Sequence, residues 1–173
     1  MNETTSTARV SLKWGLITGV CLVVYSTILY TLDLTTIPWL GALIYVLLIA
    51  GLILAMREYR SANGGYMSYG DGISIGALLS AIAGMLSSAF SVFYTTVIDP
   101  GFQERLFDQM RDKMEEQGKM SDEQIDSMIE MSKKFQSPGL QFFFGILWII
   151  VIGVIISLII AAFMRKNKDN PFE

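Results

Sequence analysis

An uncharged apolar run of 27 residues, from Gly72 to Ile98, constrains this chain more than any other feature. Within this run, small side chains recur every four residues and would form a ridge along one side of a helix. Such a ridge lets a second helix approach backbone to backbone, which is how helices associate in lipid, where no hydrophobic force drives them together. The run therefore predicts a membrane helix that is the packing centre of a bundle. The small residues recur at strict four-residue spacing and are Gly72, Gly76, Ser80, Gly84 and Ser88.

Composition extends this prediction to the whole chain. Hydrophobic residues make up 52% of the sequence and charged residues 17%, which is more apolar than an ordinary soluble domain. Four apolar segments reach the length, ~20 residues, that an α-helix needs to cross a membrane. They cover residues 14–32, 37–56, 72–98 and 140–164. We therefore expect an all-α integral membrane protein, one domain over residues 1–173 with four transmembrane helices.

The first segments predict how the bundle begins. Residues 1–13 are polar and rich in threonine and serine, and we interpret them as a disordered tail. The first span is longer than the apolar core of a secretory signal peptide and lacks a small-residue cleavage site after it, so it predicts an uncleaved helix. Only Asp33–Thr36 separate the first two spans, which must therefore form an antiparallel hairpin.

The fourth span carries a second ridge at four-residue spacing, made of Gly153, Ser157 and Ala161. We expect this ridge to meet the ridge on the third span. Close helix packing is the favoured interpretation of both ridges.

Residues 99–139 are the one substantial segment between spans, with ten acidic and six basic residues. Apolar residues recur every three or four positions on both sides of Gly118, which predicts two amphipathic helices with a stop at that glycine. Ser121 and Gln124 have the spacing of a capping box for the second of them. We predict an extramembrane amphipathic helical hairpin between the third and fourth transmembrane helices, with its apolar stripes resting on the bundle or on a partner.

The connection between the second and third spans, residues 57–71, is polar and aromatic. Asn63-Gly64-Gly65 favours a tight reversal because glycine readily adopts positive φ. Arginine and tyrosine are typical of the lipid headgroup layer. An anionic-ligand site built from the arginines and tyrosines is the alternative. The residues assigned to the interface are Arg57, Tyr59, Arg60, Tyr66 and Tyr69.

Short motifs mark the boundaries of the spans. Tyr59-Arg60 closes the second span and precedes Asn63-Gly64-Gly65-Tyr66, while Asp99-Pro100-Gly101-Phe102 follows the third span and Ser137-Pro138-Gly139 precedes the fourth. In these motifs, and over essentially its whole length, the chain resembles the bacterial membrane family catalogued as domain of unknown function 4199. The resemblance implies a four-helix protein of the bacterial inner membrane and implies no activity, because the family has no assigned chemistry.

Residues that carry chemistry are scarce. The sequence has no histidine, and its one cysteine, Cys21, lies inside the first span, which removes the commonest metal ligand, an intrachain disulfide and any cysteine-based metal cluster. No phosphate-binding loop or zinc-type spacing is present, and the net charge of −3 gives no basis for nucleic-acid binding. We therefore expect a protein that is not an enzyme, with no cofactor, no metal and no nucleic-acid partner.

Two functions are compatible with these observations. The leading hypothesis is a structural or accessory protein of the lipid bilayer that binds another membrane protein, or itself, through the small-residue ridges or the hairpin. The alternative is a small transporter or channel for an uncharged solute, with a polar lining from the third-span hydroxyls. No span contains a charged residue of the kind that marks ion pathways, which counts against a transporter but not against a channel for a neutral solute. A water-filled cavity lined by Ser80, Ser87, Ser91 and Thr95 favours transport, and solid packing there counts against it.

The distribution of cations predicts the orientation. The loop between the first two spans has no Lys or Arg, whereas the opposite side has Arg9, Lys13, Arg57, Arg60, Arg165, Lys166 and Lys168. Because short loops that carry positive charge stay on the cytoplasmic side, we expect both termini in the cytoplasm and the 99–139 hairpin across the membrane from them.

Overall fold

The computed structural model describes residues 6–166, which are helical apart from short connections and one isolated bridge between Met67 and Lys166. Four of the helices are long and apolar enough to cross a membrane, which confirms the prediction of an all-helical chain with four apolar segments of spanning length. A π-helical turn, Tyr94–Ile98, directly follows the third helix. The helices are α1 (Thr7–Thr31), α2 (Pro38–Ala62), α3 (Tyr69–Phe93), α4 (Phe102–Gln117), α5 (Asp122–Lys134) and α6 (Pro138–Met164).

The four spans are α1, α2, α3 with its π-helical turn, and α6, and they alternate in direction. One end of the bundle, which we call the terminal end, has the start of α1, the α2–α3 connection and the end of α6. The other end, the cap end, has the α1–α2 connection and the pair α4 and α5, which we call the helical cap. The contacts that give the directions are Lys13–Glu58 and Tyr25–Leu40 between α1 and α2, Ser11–Ile75 and Tyr30–Ser91 between α1 and α3, and Gly72–Ala161 and Ser88–Gly145 between α3 and α6.

The prediction of a disordered tail is wrong from Thr7 onward, where α1 begins; residues 1–5 lie outside the described part of the chain. Val10 and Ser11 are only 2% and 0% exposed, because this first stretch of α1 packs against the bundle. A polar contact holds it there, since the amino group of Lys13 donates to a Glu58 carboxylate oxygen at 2.7 Å and the Trp14 indole donates to the same oxygen at 2.9 Å.

The connection between α2 and α3 is shorter than predicted. α2 continues through Arg57 and Tyr59 to Ala62, and α3 begins at Tyr69, so residues 63–68 alone reverse the chain. Gly64 and Gly65 have φ of +68° and +88°, which confirms the predicted role of the glycines. The early start of α3 comes from a capping box that the sequence analysis missed, although Ser68 and Asp71 have the required spacing.

α3 and α6 touch through the two ridges of small residues. A Cβ atom built on Gly72 would lie 2.5 Å from Ala161 Cβ, and one built on Gly76 would overlap Ser157. Each step of four residues forward along α3 is matched by a step of four backward along α6, so larger side chains are excluded over the full length of the contact. The facing pairs are Gly72–Ala161, Gly76–Ser157, Ser80–Gly153, Gly84–Ile149 and Ser88–Gly145.

α1 approaches another face of α3 through glycines of its own. A Cβ atom on Gly15 would lie 2.8 Å from Ile82 Cβ, and one on Gly19 would lie 2.9 Å from Leu86 Cδ2. α3 therefore packs closely against both α1 and α6. This is the central position that the uncharged run predicts.

At the terminal end, large apolar side chains fill the space between the four spans. Met67, from the α2–α3 connection, is among them, because its backbone exchanges two hydrogen bonds of 3.0 and 2.9 Å with Lys166 beyond the end of α6. The bridge holds the connection over the core. The other fully buried large side chains here are Leu48, Leu52, Met56, Ile75 and Leu79.

The helical cap has a small core of its own, in which Phe107 of α4 packs against Ile125 and Ile129 of α5. The expected stop at Gly118, which has φ +59°, and the expected cap at the start of α5 are both confirmed. The two helices therefore bury part of their apolar stripes against each other. A second apolar stripe stays exposed and consists of Met128 and Met131 of α5 and of Phe135, the residue directly after the helix.

Polar and aromatic contacts fix the cap to the end of the bundle. Arg105 forms ion pairs with Asp99 at 2.5 Å and with Asp33 of the α1–α2 connection at 3.4 Å. Phe102 lies with its ring centroid 4.9 Å from that of Tyr30 and 5.9 Å from that of Tyr94. The cap therefore rests on the ends of α1 and α3.

Asp33 shows how this contact is built into the end of α1. It is the only non-glycine residue in the described chain with positive φ, at +52°. The N–H of Asp33 donates to the Tyr30 carbonyl and that of Leu34 to the Leu29 carbonyl, which is the Schellman motif that usually places glycine here. Aspartate tolerates this conformation better than most residues, and its carboxylate accepts from Arg105 of the cap.

Candidate functional site

The structure places every ridge residue predicted from the sequence in the single contact between α3 and α6. Their small side chains are therefore used within the chain and are not presented to another molecule. Of the two surfaces that the sequence analysis considers for a partner, only the helical cap is outside this contact.

The residues assigned to the lipid interface lie near one another at the terminal end, but one of them is buried. Tyr59 is 7% exposed and belongs to the core of that end. Arg57 and Tyr69 are exposed, and Arg60 and Tyr66 are half-buried. Their location in the headgroup layer stays a prediction.

The interior of the cap end is open. A cavity of about 580 Å³ lies beneath the helical cap, and a second of about 260 Å³ adjoins it between the four spans. Three side chains border both cavities, namely Tyr30, Ser91 and Gln141. The larger cavity is bounded partly by the cap, through Phe102, Gln103, Leu106, Phe135 and Gln136, so the cap covers a site that the bundle forms.

Small side chains form part of the wall of the cavity between the spans. A Cβ atom built on Gly41 would meet no atom within 4 Å. At the terminal end, leucine, isoleucine and methionine occupy the corresponding space. The small residues that line the cavity are Ser26, Gly41, Ser87, Ser88 and Gly145.

A connected hydrogen-bond network crosses the boundary between the two cavities. The Tyr30 and Ser91 hydroxyls lie 3.1 Å apart, and Gln141 Nε2 donates to Ser91 Oγ at 3.3 Å. Gln141 Oε1 accepts from Gln103 Nε2 at 3.2 Å and from Thr95 Oγ1 at 3.3 Å. The network thus joins α1, α3, the π-helical turn, α4 and α6 at one point.

This network has unused hydrogen-bonding capacity. A primary amide offers two N–H donors and a carbonyl with two lone pairs. Among the described residues, one N–H of Gln141 and the Oε1 atom of Gln103 have no partner. The site can therefore donate to and accept from a small molecule without breaking its own bonds.

Local structure positions the central groups of the network. Gln141 lies in the first turn of α6, where its N–H donates to the Ser137 carbonyl at 2.9 Å. Thr95 belongs to the π-helical turn, a feature that occurs frequently at functional sites. Neither the turn nor the importance of Gln141 was predicted. The available signal was the amide itself, because a primary amide at the start of a very apolar helix is costly without a partner.

Of the four third-span hydroxyls that test the transport hypothesis, three line a cavity and one lies in solid packing. Ser87, Ser91 and Thr95 line the cavities, whereas Ser80 is fully buried against Gly153. The Ser80 hydroxyl has no hydrogen-bond partner among the described residues. The open space therefore reaches inward from the cap end and stops at the level of Ser80.

In the part of the chain that the structure describes, no charged residue lines either cavity, which favours an uncharged occupant. Outside the cavities, the Arg105 guanidinium lowers the pKa of the Asp99 carboxyl through their hydrogen bond. Within residues 6–166, no group of three His, Cys, Asp or Glu side chains has the geometry of a metal site. The site offers hydrogen bonds and apolar contacts.

Comparison with known proteins identifies the family. The family model described as "Protein of unknown function (DUF4199)" matches residues 13–166, and the chain belongs to this family. No curated protein and no solved structure matches the chain.

Proposed function

We propose that this protein is a non-catalytic membrane protein that binds a small uncharged molecule beneath its helical cap. The network of Ser91 and Gln141 at the junction of the two cavities carries the proposal. A ligand with a hydroxyl or amide group would bond to this network, and its apolar part would lie against Leu106, Phe135 and Phe144. Ligand sites of this kind are mostly apolar, with a few polar groups that fix orientation.

The closed terminal end limits what the protein does with such a molecule. Passage beyond Ser80 requires α3 to separate from α6, or the buried leucines and methionines to move. The structure therefore supports binding from the cap side. Transport of an uncharged solute remains the extension of this proposal, with the α3–α6 contact as the closed gate.

Photolabelling in membranes tests the binding site. The probe is 3-azioctanol, an uncharged photoreactive alcohol, and the readout is the position of its adducts by peptide mass spectrometry. We expect adducts on the peptides that contain Tyr30, Ser91 and Gln141. Gln141→Leu removes the central amide and should reduce this labelling several-fold.

Ser80→Ala is the matched control, because Ser80 is also a third-span hydroxyl but lies in solid packing. It should leave the labelling unchanged. Adducts spread evenly over the lipid-facing surface of α6, with equal yields in Gln141→Leu and the parent protein, would contradict the proposal.

The exposed stripe of Met128, Met131 and Phe135 favours a second candidate function, an accessory protein that binds another protein through its cap. Met131 is 61% exposed in α5, a helix that is otherwise rich in charge, and Phe135, directly after the helix, is 56% exposed. Methionine is frequent at adaptable binding surfaces. A photocrosslinking amino acid at Met131 should capture a defined partner in cells, while the same group at the exposed Asp112 of α4 should not. Equal adduct patterns at both positions would contradict this function.

The location of the cap also belongs to this proposal. We place the protein in the bacterial inner membrane with both termini in the cytoplasm and the cap outside it, which is consistent with the basic residues at the terminal end. A periplasm-dependent reporter inserted at Gly118 should be active. Activity of a cytoplasm-dependent reporter at the same position would reverse the orientation.

A further inference from the structure

A groove of about 610 Å³ lies between α2 and α6 at the terminal end, opposite the cap. One part of it is polar and is lined by Arg57, Arg60 and Ser61. The other part is apolar and is lined by Ile53, Ile160 and Phe163. A phospholipid matches these two parts, because it has an anionic phosphate next to hydrocarbon.

The two arginines are placed to act together. They are three residues apart on α2 and therefore share one face of the helix. Arg60 is held in place, because its Nε and Nη1 atoms donate to the carbonyls of Gly65 at 3.0 Å and Met164 at 3.4 Å. Arg57 is exposed and has no hydrogen-bond or ion-pair partner among the described residues. The Arg60 guanidinium is therefore fixed in position, and the Arg57 guanidinium is available to a ligand.

The carboxylates nearest in sequence do not neutralise this pair. Glu58 accepts from Lys13 and Trp14 of α1, and Asp71 caps α3 together with Ser68. Neither carboxylate lines the groove. Among the described residues that line the groove, its polar part therefore carries two positive charges and no negative charge.

The apolar part needs a covering in the membrane. Phe163 is 86% exposed, the largest exposure among the large hydrophobic residues of the described chain, and it forms one wall of the groove. An acyl chain that lies between Phe163 and Ile53 would cover both walls. A soluble phosphate would leave them uncovered.

We infer that this groove is a binding site for one anionic phospholipid, which places its phosphate between Arg57 and Arg60 and an acyl chain against Phe163. Guanidinium groups bind phosphate oxygens with paired hydrogen bonds, and Ser61, one turn after Arg57, adds a hydroxyl donor. The site is separate from the cavity beneath the cap and lies at the opposite end of the bundle.

Native mass spectrometry of the full-length protein in detergent tests this inference. Phosphatidylglycerol and phosphatidylcholine with identical acyl chains are titrated separately, and the affinity of the first bound lipid is measured. We expect phosphatidylglycerol to bind about tenfold more tightly, because charge-assisted hydrogen bonds to guanidinium are the strong ones. Arg57→Gln should remove this preference, and Arg57→Lys should keep part of it.

Arg165→Gln is the matched control. Arg165 is an exposed arginine at the same end of the bundle that does not line the groove. Its loss should change the affinity by less than about twofold, as expected for a screened surface charge. Phe163→Ala should weaken both lipids to the same extent, because the acyl chains are identical.

Two results would overturn the inference. Equal losses in Arg57→Gln and Arg165→Gln would show a diffuse attraction to the basic end of the protein and no site. Displacement of phosphatidylglycerol by millimolar glycerol phosphate would show that the apolar part of the groove does not contribute. The helical circular dichroism of each variant verifies that the loss is not caused by unfolding.

Discussion

The two ends of the bundle use the same four spans in opposite ways. At the terminal end, the small residues of α3 and α6 face each other, and Leu52, Met56 and Leu79 fill the middle. At the cap end, small residues such as Gly41, Ser87 and Ser26 line part of the interior, and a cavity of about 260 Å³ remains between them and the larger side chains around it. The first arrangement gives a closed core and the second gives a cavity.

The difference shows that a small side chain has no fixed consequence in a membrane helix. Gly76 allows close contact because Ser157 and the α6 backbone lie directly opposite. Gly41 leaves open space because nothing lies within 4 Å of the position of its Cβ atom. The residue across the interface decides between contact and cavity, and this depends on the register of two helices.

The largest effect is expected from a bulky residue in the closed contact. Gly76→Leu should destabilise the protein by at least ~1–3 kcal/mol, the usual cost of overpacking a core. Gly76→Ala should also be costly, because its Cβ would overlap Ser157 Cβ, whereas Gly84→Ala should be milder, because its Cβ would lie 3.2 Å from Ile149 Cβ and needs a shift of only a few tenths of an ångström. Melting temperatures in detergent measure the difference. Equal melting of Gly76→Ala and Gly84→Ala would contradict the pairing of Gly76 with Ser157.

A residue swap sharpens the comparison. Gly153→Ala should destabilise the protein, because the new methyl group would overlap the Ser80 side chain. Ser80→Gly in the same protein should recover most of the loss, since the two positions face each other. A double-mutant cycle should therefore show a coupling of ~0.5–3 kcal/mol, the range for residues in contact. Additive effects would mean that the two residues do not meet.

The same type of substitution should have the opposite sign at the cap end. Gly41→Ala should stabilise α2 by up to ~1 kcal/mol, because alanine is the better helix former and the new methyl group enters open space. Gly41→Leu should fill part of the cavity and reduce 3-azioctanol labelling at Ser91, without a lower melting temperature. A destabilised Gly41→Ala variant would argue against the open space.

The smallest effect is expected from pH. Because Arg105 lowers the pKa of Asp99 in the folded protein, the ion pair stabilises the docked cap above the ordinary carboxyl pKa, and this contribution is lost as the pH falls through the lowered value. The proteolytic protection of the α4–α5 connection should therefore decrease at acidic pH. Asp99→Asn should show the weaker protection at neutral pH and a flatter response to acid.

Much of the fold follows from residue patterns. Four-residue spacing of small side chains predicts the α3–α6 contact, and the spacing of apolar residues with Gly118 and Ser121 predicts the cap helices, because these signals are local. The start of α1 could not be predicted in this way. Its polar residues become helical because Glu58, far away in sequence, bonds to Lys13 and Trp14.

The candidate site was less accessible from the sequence. Third-span hydroxyls were expected to line any cavity, and Ser87, Ser91 and Thr95 do so. Gln141 and Gln103 join them only because the cap folds back over the bundle, which brings two amides from separate helices within 3.2 Å. No pattern within a single helix encodes that distance.

The π-helical turn after α3 determines the direction in which the chain enters the cap. Its widened turn, seen in the hydrogen bond of 2.8 Å from the Asp99 N–H to the Tyr94 carbonyl, holds one residue more than an α-helical turn would. Each residue of a helix advances its direction by about 100°. A chain one residue shorter in this turn would therefore point Phe102 and Arg105 away from Tyr30 and Asp33, and the cavity would lose its roof although α1, α2, α3 and α6 kept their sequences.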